Sequence, residues 1–209
     1  MNGSQLTGKR RAAVLVSAAL VHRNKNVLKA EYYSALHANL TPAELVEIIL
    51  QALLFDGYPC TLEGLILLQK LPEVNLPVEE LYEEYTPQQI EKWEARGQLL
   101  CQNIYRKNFK PLLENVGTLS PTLRQWMLHE GYGRVLARPS LSIDIREMGI
   151  IAILTVKNYP RQLHSHLKGA LHVGVSRQEL RQAIEICAPF TTSRNITDAC
   201  QTLDEIAAI

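Results

Sequence analysis

A glutamate and a histidine, Glu147 and His166, stand 19 residues apart, and side chains of these two types are suited to proton transfer. Imidazole titrates near neutrality and can both give and take a proton, and a carboxylate within reach can orient it. His166 shares one helical stripe with Gln162 and Tyr159, at i−4 and i−7. Glu147 falls at the start of one helix and His166 about two turns into the next, so an antiparallel hairpin can bring the two together. Each also has an ordinary structural reading. A histidine on a helix is commonly a packed or solvated residue, and a glutamate at a helix start complements the helix dipole. Arg134, Arg138 and Arg161 are each able to bind a carboxylate bidentately.

The remaining candidates read as structure. The four cysteines, Cys60, Cys101, Cys187 and Cys200, form no C-x-x-C pair and sit at no ligand spacing from a histidine. They read as reduced, mostly buried thiols in a reducing compartment, with no metal site and a cytoplasmic setting. Cys60 is the thiol beside the Gly57-Tyr58-Pro59 turn and reads as buried. His164 lies on a different helical face from His166 and reads as solvated. Trp93 and Trp126 read as core or subunit contacts.

The elements that position these residues come from an internal repeat. Placing Arg11 on Arg146, an offset of 146 − 11 = 135, aligns the two halves without a gap. Val21 then meets Val156, Ala35-Leu36-His37 meets Ala170-Leu171-His172, Glu44-Leu45 meets Glu179-Leu180, and Phe55 meets Phe190. His37 and His172 persist in both copies, which marks them as structural and predicts that His37→Ala costs stability. Each copy reads as three helices: an apolar run at 11–21 and 143–157, a second helix at 27–37 and 160–173, and a third. Asn39 and Gly174 close the second helix, being residues that accept the left-handed conformation. The third opens with a capping box, Thr41 to Glu44 in one copy and Ser176 to Glu179 in the other.

Between the copies, Thr86-Pro87 and Ser120-Pro121 start two more helices, the second running to about Val135. The prolines from Pro72 to Pro77 and the run Arg138-Pro139-Ser140 break the chain. No segment alternates like a strand, so the fold class is all-α. The organisation is an N-terminal unit at 1–75, a helical connector at 76–140 and a C-terminal unit at 141–209.

With 46% apolar and 21% charged residues, the 209-residue chain has the composition of a globular protein. A net charge of +1 gives no electrostatic case for nucleic acid or an anionic membrane as partner. The run 12–21 after Lys9-Arg10-Arg11 imitates a secretory signal but is too short to span a bilayer, and its shape recurs deep inside the chain. It reads as a buried helix.

Residues 133–141, Gly-Arg-Val-Leu-Ala-Arg-Pro-Ser-Leu, are followed by Arg146-Glu147-Met148, Gln162-Leu163-His164-Ser165-His166-Leu167 and Gly169-Ala170-Leu171-His172-Val173-Gly174. This series resembles the motifs G-x-V-x-x-R-P-G-L, R-E-L, Q-L-x-x-H-L and G-A-L-x-x-G of carboxymuconolactone decarboxylases and the alkylhydroperoxidase D-like proteins related to them. In the first copy, Glu44 to Glu47, Gln51 and Phe55-Asp56-Gly57-Tyr58-Pro59 resemble another part of the same pattern, so the likeness runs over residues 11–190. The copies depart from it in complementary ways. Ala12 stands opposite Glu147 and Glu31 opposite His166, while Thr191 to Arg194 stand opposite Asp56 to Pro59. A fused pair sharing one site at its interface produces this pattern, as does loss of function in one copy with drift in the other; the shared site is the reading adopted.

The resemblance implies that Glu147 and His166 are catalytic. It also implies a substrate pocket lined by Gln162 and Tyr159, closed by the turn at Tyr58, with Arg134 or Arg138 as carboxylate anchor. In the alkylhydroperoxidase relatives the positions of Tyr159 and Gln162 are a redox cysteine pair, and without it thiol chemistry has no nucleophile here. The implied activity is a lyase acting by acid–base chemistry on a small carboxylated lactone, with no metal or organic cofactor. A peroxidase and an idle metabolite-binding member are the alternatives. Single-unit relatives form rings of six, so a tandem chain is expected to be a homo-oligomer, a trimer.

Overall fold

A computed structural model describes residues 5–6, 8–76 and 82–206; Pro77, at the end of the proline-marked break, lies outside the described residues. All regular structure among the described residues is helical. No helix among them is long and apolar enough to cross a membrane. The chain divides into two compact units, Met1–Pro77 together with Ser140–Ile209, and Val78–Pro139.

The first unit is built on α1 (Gly8–His22) and α8 (Ile143–Lys157), which pack along one another. Both are apolar around most of their circumference, as central helices are. Ala12 to Val14 and Val16 to Val21 are buried in α1, and all of Ile145 to Thr155 in α8. Around them lie α2 (Lys25–His37), α3 (Pro42–Gln51), α4 (Leu53–Gln69), α9 (Pro160–His172), α10 (Arg177–Glu185) and α11 (Ser193–Asp204). Adding 135 to the bounds of α1 and α2 returns those of α8 and α9, and Pro42 maps onto Arg177 at the start of α10.

The caps account for these bounds. Thr41 and Ser176 each complete a capping box with the glutamate three residues on, satisfying otherwise orphaned helix-start N–H groups. Asn39 and Gly174 take φ of 65° and 93° past the ends of α2 and α9. α2 starts at Lys25 rather than Val27, because the Asn24 side chain accepts from the N–H groups of Asn26 and Val27. α4 is broken at Gly57, whose φ of 77° and ψ of 178° suit glycine, and the chain re-enters the helix through Tyr58 and Pro59.

In the second unit, α5 (Pro87–Tyr105) is capped by Thr86, followed by α6 (Phe109–Leu119) and α7 (Pro121–Trp126), capped by Ser120. The α-helix expected to reach about Val135 instead widens into a π-helix over Met127–Leu136. That segment is where the backbones approach most closely. A Cβ on Gly133 would lie 2.1 Å from the Trp93 carbonyl oxygen, and one on Gly97 2.2 Å from that of Leu128. Trp93 is buried and donates to Glu83 at 2.9 Å, whereas Trp126 is 60% exposed.

Candidate active site

α3 and α8 are joined by a buried ion pair. The Arg146 guanidinium donates to Glu47 Oε2 at 2.8 Å, and both side chains are wholly inaccessible. One turn along α3, the Gln51 amide reaches the Arg146 carbonyl oxygen at 3.4 Å. These bonds fix the first turns of α8, and the next residue, Glu147, is thereby turned towards α9. His166, about two turns into α9, faces it, with Nδ1 2.9 Å from Glu147 Oε2. Glu147 is fully buried and His166 is 6% exposed. The antiparallel hairpin of α8 and α9 thus brings the two residues together.

A third element closes on the imidazole. Phe55 meets His166 edge to face, with ring centroids 5.6 Å apart. Its neighbour Asp56 is pinned by Lys157, at the end of α8, at 2.6 Å and by Arg23 at 3.2 Å. Burial raises the Asp56 carboxyl, but hydrogen bonds from Lys157, Cys60 and Arg23 outweigh it and hold the group below the usual aspartate value. The segment before Gly57 is therefore clamped over the α8–α9 hairpin.

When the Glu147 carboxylate accepts, Nδ1 of His166 is the donor and Nε2 is the other ring nitrogen. Nε2 makes no hydrogen bond to any described residue. Glu147 Oε1 and Gln51 Oε1 are buried and likewise have no hydrogen-bond partner among the described residues. Leaving buried acceptors unmet costs about 1–3 kcal/mol each, which a bound water would relieve.

The other residues singled out in the sequence fall as follows. Gln162 and Tyr159 continue the His166 stripe outward and are exposed, Tyr159 by 45%. Tyr58 is 69% exposed at the break in α4; the ring on His166 belongs to Phe55. Arg134 and Arg138 lie in the second unit. Arg134 pairs with Glu130 at 3.0 Å and stacks on Tyr85 and Trp93, and Arg138 pairs with Glu83 at 3.3 Å. His164 is half-buried, and its pKa is lowered by burial and by Lys168. All four cysteines are free thiols; Cys60, Cys101 and Cys187 are buried, with pKa values pushed by burial up to about 12. Among the described residues no three His, Cys, Asp or Glu side chains converge to hold a metal ion.

Glu47, Arg146 and Phe55 were not among the residues given a role from the sequence. A carboxylate embedded in the apolar run Leu45-Val46-Glu47-Ile48-Ile49 was the available signal for the first, since a buried charge needs a partner.

The chain is thus an all-α protein whose α8–α9 hairpin holds a buried carboxylate–imidazole pair next to Arg146. The sequence model of the "Carboxymuconolactone decarboxylase family" matches residues 121–205, less than half of the chain, and over that span the chain is similar to this family. The chain is also 26% identical over 84 residues to a "4-carboxymuconolactone decarboxylase" of Acinetobacter baylyi, a match covering 40% of this chain and 63% of that relative.

Proposed function

We propose that this protein is a decarboxylase-like lyase in which His166 delivers a proton to carbon and Glu147 holds the ring for that transfer. The observation that carries the reading is the 2.9 Å contact between Nδ1 and a fully buried carboxylate, with Nε2 hydrogen-bonded to no described residue. In the reaction proposed, the bond to the carboxylate carbon breaks and carbon dioxide leaves. The electron pair passes into the conjugated carbonyl of a lactone, and the resulting enolate takes its proton at carbon from Nε2. Glu147 keeps the tautomer with hydrogen on Nδ1 and stabilises the imidazolium before the transfer. Gln162 and Tyr159, one and two turns before His166, form the approach to Nε2 and contact the substrate. Arg161, beside them on α9, is the cation proposed to hold a substrate carboxylate, because Arg134 and Arg138 are already engaged by Glu130 and Glu83.

The test is to supply 4-carboxymuconolactone, the compound in the name of the A. baylyi relative, in deuterium oxide. Carbon dioxide release with one deuterium in the product is the expected result; an intact substrate would count against the reading. Consumption of hydrogen peroxide coupled to a dithiol would instead favour the peroxidase alternative.

A further inference from the structure

The 135-residue offset gives residues of the Glu147–His166 site their counterparts in the other copy of the repeat. Ala12 stands for Glu147, Glu31 for His166, Val27 for Gln162, Arg11 for Arg146, and Phe190 for Phe55. The loss of the acid and the imidazole did not fill this place. α1, α2 and the 3-10 turn Ala188–Phe190 border a solvent-open cavity of about 370 Å³, lined by Arg11, Leu15, His22, Glu31, Ser34 and Phe190 among others.

Its polar groups differ from those of the first site in one decisive respect. Arg146 is neutralised by Glu47, but the counterpart of Glu47 is Gln182, whose Oε1 accepts from the Leu6 N–H at 2.6 Å. Arg11 is left with no hydrogen bond or ion pair to any described residue. Glu31 faces the same cavity; burial raises its pKa and the nearby Arg11 charge only partly offsets this, so the carboxylate lacks a partner of its own. His22 holds Phe190 in place, with Nδ1 3.1 Å from the Phe190 carbonyl oxygen and its ring edge-on to the phenyl at 5.8 Å. A solvent-exposed guanidinium bound to no described residue, an acceptor and an apolar wall therefore border one cavity.

We propose that this cavity is a second small-molecule site, which binds an organic carboxylate carrying a separate hydrogen-bond donor. The carboxylate lies on Arg11, the donor on Glu31, and the apolar body against Leu15 and Phe190. The site binds without chemistry, since Ala12 supplies no acid. Its occupancy is independent of the Glu147–His166 pair.

Titration calorimetry with 3-hydroxybenzoate and 4-hydroxybenzoate, and with benzoate as the analogue lacking the donor, tests this on the whole chain. The wild type should bind one hydroxybenzoate saturably and more tightly than benzoate. Arg11→Gln, at an exposed position that leaves the helix intact, should weaken binding roughly ten- to a hundredfold, the worth of a charge-assisted hydrogen bond. Glu31→Ala should bring the hydroxybenzoate down to the affinity of benzoate, and His166→Gln should leave the isotherm unchanged. No binding of either hydroxybenzoate at millimolar concentration overturns the proposal. So does an Arg11→Gln protein that binds like wild type, or loss of binding in His166→Gln, which would put the ligand at the other site.

Discussion

The imidazole of His166 is held by a carboxylate on one side and a phenyl edge on another, and the carboxylate depends on a charge pair one residue away. Arg146 and Glu47 are both fully buried, so removing one partner leaves the other charge uncompensated in the interior. Glu47→Gln should therefore cost about 3–5 kcal/mol in urea unfolding, the usual penalty for breaking a buried pair. A change below about 1 kcal/mol would mean that the pair is relieved by water. His37 is different. It repeats in both halves, and the sequence argues for a structural role, yet the side chain is exposed and bonds only to the Tyr33 carbonyl of its own helix, at 2.8 Å. His37→Ala should shift stability by no more than about 0.5 kcal/mol by the same measurement, as surface substitutions do.

Helix caps, left-handed stops and apolar runs were legible in the sequence because they are local. Thr41, Ser176, Asn39 and Gly174 act on backbone groups within a few residues of themselves. The hairpin joining Glu147 to His166 was legible for the same reason, being two successive helices and a short turn. Phe55 over His166 and the Glu47–Arg146 pair were not, since they join segments about a hundred residues apart and leave no periodic trace. The π-helix at Met127–Leu136 escaped for a related reason: it lies where Gly133 closely approaches the Trp93 carbonyl of another helix, a long-range contact.

Two tests concern these elements. A methyl group at Gly133 would meet backbone atoms that cannot move aside, so Gly133→Ala should destabilise the second unit by about 1–3 kcal/mol or more. Trp93 fluorescence follows that unfolding. The clamp at Asp56 is pH-dependent. Its carboxyl is held below the ordinary aspartate value in the folded state, so it adds stability above that ordinary value and loses it as pH falls through the lowered one. The stability gap between wild type and Asp56→Asn, present at neutral pH, should close on acidification. A gap that stays constant down to the acid limb would show that Lys157 and Arg23 do not act on the charge.

For the whole molecule, Tyr58, Leu62 and Ile66 form an exposed stripe at four-residue spacing on α4, 69%, 54% and 45% accessible. Contiguous apolar surface of this kind marks a contact with another protein. We propose that a second copy of the chain covers it, and that the assembly is the trimer implied by the resemblance to six-membered rings. Light scattering should report three chains for the wild type and fewer for Leu62→Glu; a wild-type monomer at micromolar concentration would contradict this.

The account rests most heavily on Nε2 of His166 as the proton donor. His166→Ala is a poor probe, because it would strand the buried Glu147 carboxylate and confound activity with folding. His166→Gln keeps an amide that can donate to Glu147 while removing the imidazole Nε2. The decisive measurement is the turnover of 4-carboxymuconolactone by wild type and His166→Gln, with melting temperature recorded on the same samples. We expect kcat to fall by about 10²–10⁴-fold, the range for loss of a general acid, at a melting temperature within a few degrees of wild type. A His166→Gln protein that turns over substrate at the wild-type rate would contradict the assignment.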